Sequence, residues 1–190
     1  MTNNGKSVLP ENPNINLTFN EEQLKEIVLA GGCFWGVDAY IARLYGVART
    51  ECAYANGHVD NPSYRQVCDG NTGHAEVVRV TYDPARIGLR ALLAEFFSII
   101  DPTQVGRQAN DFGDQYRNGI FYIDESDLPM ILAVRDEVQA QYNKPLATEI
   151  LPLSSYFRAE EYHQDYLDKN PNGYCHVSFA NLPTEQLSLD

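Results

Sequence analysis

Glu26-Ile27-Val28-Leu29-Ala30-Gly31-Gly32-Cys33-Phe34-Trp35-Gly36-Val37-Asp38-Ala39-Tyr40-Ile41 contains a complete change of backbone period. The run Ile27 to Ala30 is continuously apolar and stopped by two glycines, which predicts a short buried strand. After it, Phe34, Val37, Ile41 and Leu44 recur at steps of three, four and three, the spacing of a helix with one apolar face. Cys33 is therefore expected where a strand turns into a helix.

Working outward, the pattern predicts strands over Arg49–Tyr54, Ala75–Tyr82, Ile120–Ile123 and Thr148–Leu151. Helices are expected near Tyr64–Cys68, over Gly88–Ile100, and over Leu128–Tyr142, where Pro129 is tolerated in a first turn. A polar helix is expected from Arg158 to Lys169, ended by Asn170-Pro171-Asn172-Gly173. Strands alternating with helices imply an α/β or α+β fold, one domain of two layers over residues 21–190. Ahead of it, residues 1–20 hold Pro10 and Pro13 among six Asn. They read as a polar N-terminal arm, mobile or strapped, with order expected from about Glu21.

The chain has 190 residues, 44% hydrophobic and 21% charged, an ordinary globular composition. A chain of this length buries about 70% of its unfolded surface and needs no disulfide for stability. The net charge of −12 argues against nucleic acid as a partner. No basic segment followed by an apolar one opens the chain, and the longest apolar runs, within Ala91–Ile100, are too short to span a bilayer. The expectation is a cytoplasmic protein without a membrane partner. In a reducing compartment its four cysteines are expected to be catalytic, metal-binding or inert rather than a disulfide framework.

A helix N-terminus lowers a thiol's pKa through its unpaired N–H groups, so Cys33 is placed to be a nucleophile; a small buried hydrophobe is the bland alternative. Gly31 and Gly32 permit a tight turn, and Gly36 permits close approach to the first helical turn. Phe34 and Trp35, the only Trp, point about 100° apart on a helix, so at least one ring should stay near the thiol.

Gly31-Gly32-Cys33-Phe34-Trp35-Gly36 resembles the motif of the type A peptide methionine sulfoxide reductases. So do Gly73-His74-Ala75-Glu76, Asp111-Phe112-Gly113-Asp114-Gln115-Tyr116-Arg117, Glu160-Glu161-Tyr162-His163-Gln164-Asp165-Tyr166 and Asn172-Gly173-Tyr174-Cys175, in the family's order. The resemblance implies a two-layer sandwich with a mixed sheet and a ferredoxin-like core. It implies reduction of methionine-S-sulfoxide, free and in proteins, with Cys33 as nucleophile and Cys175 as resolver. Glu76 would be the proton donor, Tyr64 and Tyr116 hydroxyl donors with Asp111 nearby, and Phe34 with Trp35 the seat of the substrate methyl. Thioredoxin would supply the electrons, with no cofactor and no metal, and the chain is expected to act as a monomer.

The residues bear this chemistry independently in part. Departure of a sulfoxide oxygen requires a proton, and a carboxyl is kept protonated by apolar surroundings. Glu76 lies among Ala75, Val77, Val78 and Val80, and strict alternation puts it on one face with Val78 and Val80. Cys175 lies in a Gly- and Asn-rich segment suited to movement, and no cysteine follows it, so the relay should end there. Cys52 and Cys68 read as packed bystanders, and His163 as a structural hydrogen-bonding residue. The rivals are a cysteine hydrolase using His74 or His163, a thiol peroxidase, and a zinc module using cysteines with His74 or His176. The cysteine spacings of 19, 16 and 107 contain no C-x-x-C pair.

Overall fold

Strand β1, Lys25–Gly31, runs through the middle of a six-stranded sheet, and its apolar run is explained by burial on both faces. The computed structural model describes residues 9–183 and 186–187. The other strands of the sheet are β2 (Val47–Ala55), β3 (Ala75–Tyr82), β6 (Asn118–Tyr122), β7 (Glu149–Pro152) and β8 (Tyr156–Arg158). Their order is β7-β6-β1-β3-β2-β8; β6 and β7 are parallel and the remaining neighbours antiparallel, so the sheet is mixed. Two short strands, β4 (Arg107–Gln108) and β5 (Asp111–Phe112), form a separate hairpin.

Side chains alternate across the sheet as strand geometry demands. Ile27 and Leu29 of β1, Val78 and Val80 of β3 and Tyr54 of β2 face one core with the helices, while Val28, Ala30, Ala53, Val77 and Phe121 face the other. The helices are α1 (Phe34–Ile41), α2 (Tyr64–Cys68), α3 (Leu89–Ser98), α4 (Leu128–Gln139) and α5 (Tyr166–Lys169). Pro129 occupies the first turn of α4, where its missing N–H is no loss. A capping box between Ser63 and Gln66 opens α2.

The sequence misses two features and overextends one. The expected polar helix over Arg158–Lys169 is broken up: Tyr156–Arg158 pairs with β2, Glu161–His163 is a single 3-10 turn, Asp165 is left-handed at φ +49°, and only Tyr166–Lys169 is helical. Its polar residues are engaged with the body of the protein rather than with a solvated face. Gln164, for example, accepts from the Cys52 N–H and donates to the Cys52 carbonyl. The β4/β5 hairpin carries too few apolar residues to show a period. Order also begins before Glu21, because Asn14 is buried and bonds the Ala42 and Leu44 carbonyls and the Gly46 N–H; residues 1–8 lie outside the described part of the chain.

Candidate active site

Three elements meet at the exit of β1. Cys33 is the N-cap of α1, reached through Gly32, whose φ of +85° is left-handed and whose missing Cβ would lie 2.6 Å from Gln108 Cβ. Register places Leu29 opposite Val78, so Glu76, two residues upstream, falls beside that exit on the helix-side face, as alternation requires. The Phe34 N–H donates to Glu76 Oε2 at 3.1 Å. The first free donor of the helix start is therefore taken by the carboxyl, and the Trp35 N–H beside the thiol works to lower the thiol's pKa.

Glu76 is 1% exposed, and burial pushes its pKa up to about 8 despite the Phe34 hydrogen bond; Asp111 adds to the rise. It rests protonated at neutral pH. Cys33 departs from the sequence expectation. Burial, and then the charge of Glu76, raise its pKa well above the ordinary thiol range, and the helix N-terminus only partly opposes them. The helix start has eight residues to act through, but the thiol is 7% exposed, and desolvation of a thiolate outweighs a partial charge. The resting pair is thus a thiol and a carboxylic acid.

Around this pair stands an aromatic cage. Phe34 is buried, and Trp35, half-buried, stacks on Tyr166 with centroids 3.8 Å apart and planes 13° apart. Trp35 Nε1–H donates to His163 Nδ1 at 3.1 Å, which assigns the remaining proton of that ring to Nε2. The His163 ring lies 4.5 Å from Tyr64 and 5.0 Å from Phe34. Burial lowers the His163 pKa, so it is a neutral ring that orients Trp35. Tyr64 starts α2, where its own N–H donates to Glu160 Oε1, whose other oxygen accepts from Tyr54. Tyr116, in a 3-10 turn over Asp114–Tyr116, is half-buried, and its hydroxyl pKa is raised by burial, Glu76 and Cys33 among others.

Cys175 lies in a segment without helix or strand and donates to the Val177 carbonyl at 3.3 Å. The segment is tied on both sides of it: Tyr174 Oη donates to Asp111 Oδ2 at 2.9 Å, and His176 Nε2 bonds the Gly31 carbonyl at 3.0 Å. Gly36 makes room beneath, since a Cβ there would sit 3.1 Å from Cys175 Sγ and 2.9 Å from Val177. Gly36 is three positions beyond Cys33, hence on the same side of the helix. All four cysteines are free thiols.

Cys33, Phe34, Trp35, Tyr64, Glu76, Asp111, Tyr116 and Cys175 thus converge. Cys52 is fully buried, as expected, but Cys68, one helical turn from Tyr64, is exposed. The α2 helix buries only Val67 and leaves its last residue at the surface. His74 has both ring nitrogens occupied, by the Gly57 N–H and the Val59 carbonyl, and is not available to a hydrolase. Among the described residues no cluster of three or more His, Cys, Asp or Glu could hold a metal ion, and no helix is long and apolar enough to cross a membrane.

The peptide methionine sulfoxide reductase family model matches residues 25–188. The chain is 54% identical over 154 residues to the peptide methionine sulfoxide reductase MsrA of Clostridium perfringens, covering 81% of this chain and 98% of that one. The chain belongs to the MsrA family. It is an oxidoreductase that reduces methionine sulfoxide. The MsrA of Clostridium tetani is 52% identical over 158 residues, with 83% and 96% covered. Among solved MsrA-like structures, reduced Mxr1 from Saccharomyces cerevisiae superposes with a TM-score of 0.79 at 38% identity, covering 86% of this chain and 96% of that one. The methionine sulfoxide reductase A of Corynebacterium diphtheriae gives 0.74 at 35%, with 82% and 79% covered. Mxr1 in complex with Trx2 gives 0.56 at 27%, with 80% and 91% covered.

The sequence reading gives no site role to Glu160, Tyr166 or Tyr174, whereas His163, read as a structural hydrogen-bonding residue, is one: it takes the Trp35 Nε1–H. The signal for Glu160 and Tyr166 was the density of polar and aromatic residues over 158–169, read as one polar helix.

Proposed function

We propose that the Cys33 sulfur attacks the sulfur of methionine-S-sulfoxide, free or in proteins, while Glu76 gives its proton to the departing oxygen. The S–O bond breaks, methionine leaves, and the oxygen is retained as a Cys33 sulfenic acid; the thiol's own proton recharges Glu76. Tyr64 and Tyr116 hold the oxygen, Asp111 borders the pocket, and Phe34 with Trp35 seats the methyl group. Cys175 then displaces water from the sulfenic acid to form a disulfide, which a dithiol reductant opens by exchange.

The observation that carries this reading is the buried, protonated Glu76 bonded to the first helical N–H beside Cys33, with Cys175 seated over Gly36 on the same helix. The yeast Mxr1 structure in complex with Trx2 supports a thioredoxin as reductant. The S epimer and the repair of oxidised proteins rest on family membership. The β-α-β-β-α-β succession of β1, α1, β2, β3, α3 and β6, in the spatial order β6-β1-β3-β2, supports a ferredoxin-like core.

Single-turnover kinetics tests the proposal. Cys33→Ser should release no methionine, and Cys175→Ser about one equivalent per enzyme without recycling. Full turnover of the Cys175 variant with thioredoxin would reject the resolver.

A further inference from the structure

The family match begins at residue 25, so the polar strap over residues 9–20 lies ahead of it. Its anchors nevertheless reach elements that hold the aromatic cage. Asn14 bonds the carbonyls of Ala42 and Leu44 at 3.0 and 2.8 Å, just past the end of α1, where the Leu44 carbonyl also takes the Val47 N–H. The Pro10 carbonyl accepts from Arg43 Nε at 2.6 Å. Arg43 is 3% exposed; it also donates to the Ala39 carbonyl at 2.8 Å and pairs with Asp168 of α5.

Helix α5 is four residues long, a single turn that does not sustain itself. Asp165, immediately before it, sits in the left-handed region at φ +49°, a strain that the surroundings must hold in place. Leu167 of the turn is buried, and two polar contacts flank it. On one side Gln164 is bonded to both backbone groups of Cys52; on the other Asp168 is held by Arg43. Between these two fixed points Tyr166 stacks on Trp35. Elsewhere a cleft of about 650 Å³, lined by Leu9, Ile15 and Leu167 among others, parts the strap from α5, so Arg43 is the bridge between them.

We infer that the strap and Arg43 form a brace for α5 that sets the Tyr166–Trp35 stack, making Arg43 a positioning residue for substrate affinity. The inference rests on Trp35 being part of the methyl seat. It predicts an effect on KM rather than on kcat, because the brace touches neither Cys33 nor Glu76.

Trp35 is the only tryptophan, so its emission and its quenching by acrylamide read this stack directly. The full-length variants to compare are Asp168→Ala, whose side chain is half-exposed, Arg43→Met, and Arg43→Lys as the conservative partner. In Asp168→Ala and Arg43→Met quenching should rise and KM for a methionine-sulfoxide peptide should increase about three- to tenfold, with kcat within about twofold. Arg43→Lys should recover part of both. With cooperative unfolding retained, unchanged quenching and KM in Asp168→Ala would overturn the brace, as would altered quenching with unchanged KM. Trp35→Phe separates the two readings. If it raises KM while the brace variants do nothing, only the brace fails; if it leaves KM unchanged, the seat fails and the inference with it.

Discussion

Cys33 closes a strand paired on both sides and opens a helix packed into the core, whereas Cys175 lies in a segment with no ladder, held by the Tyr174–Asp111 and His176–Gly31 bonds. Both thiols have pKa values raised by burial, so the contrast is mechanical rather than electrostatic. On the proposed mechanism the first sulfur stays put while a substrate oxygen is placed against Glu76, and the second approaches a partner and later yields to a reductant. A ladder of cooperative backbone bonds suits the first task, and side-chain bonds worth about 1 kcal/mol each suit the second.

The strongest way to break this contrast is Glu76→Gln. It should cost roughly 10²-fold or more in the reductase step and leave disulfide formation from a preformed sulfenic acid near normal, as stopped-flow measurement would show. An equal loss in both steps would make Glu76 part of the mobile half. Gly36→Val comes next. Its side chain would enter the space of Cys175 Sγ and Val177, so disulfide formation should slow about tenfold while the first equivalent of methionine appears normally. Acid-quenched thiol counting against methionine release separates the two rates.

A pH profile sharpens the fixed half. Glu76 donates only while protonated, so the reductase step should fall as pH rises through about 8, and the Gln variant should lose that limb. The same shift bears on stability. Because the folded pKa lies above the ordinary 4.5, folding binds a proton between those values, and stability declines from about pH 4.5 to about pH 8, then levels. Urea unfolding of Glu76→Gln should lack the Glu76 share of that decline and keep the share of buried Asp38, whose pKa burial raises to about 7. The smallest effect belongs to Tyr174→Phe. Loss of one tether of about 1 kcal/mol should slow resolution about fivefold and leave the fold unchanged, as rapid chemical quench would measure.

The fixed half was legible in the sequence because it obeys periods. Ile27 to Ala30, the helical spacing after Cys33, and the alternation through Glu76, Val78 and Val80 follow from sheet and helix geometry, and the side chains fall where those periods put them. The protonation state of Cys33 was not legible, because it depends on how completely the Glu76 strand and the aromatic cage exclude water, which no local pattern encodes. The stretch 158–169 was misread for a related reason, whereas the loop read over 172–175 is a loop. The misread residues are placed by side-chain bonds to distant partners, as Gln164 is to Cys52, 112 positions away. Cys68 was misjudged because a five-residue helix offers too few turns to reveal which side faces in.

The sheet's borders have a further consequence. Its outermost strands are brief, four residues in β7, which ends on Pro152, and three in β8. Where β8 gives out, the Gln164 amide takes both backbone groups of Cys52, imitating one more residue of a neighbouring strand. Little backbone is left open to recruit a foreign chain. These closed margins would let a peptide methionine sulfoxide reductase engage one side chain of a peptide without its sheet pairing with the rest of that backbone.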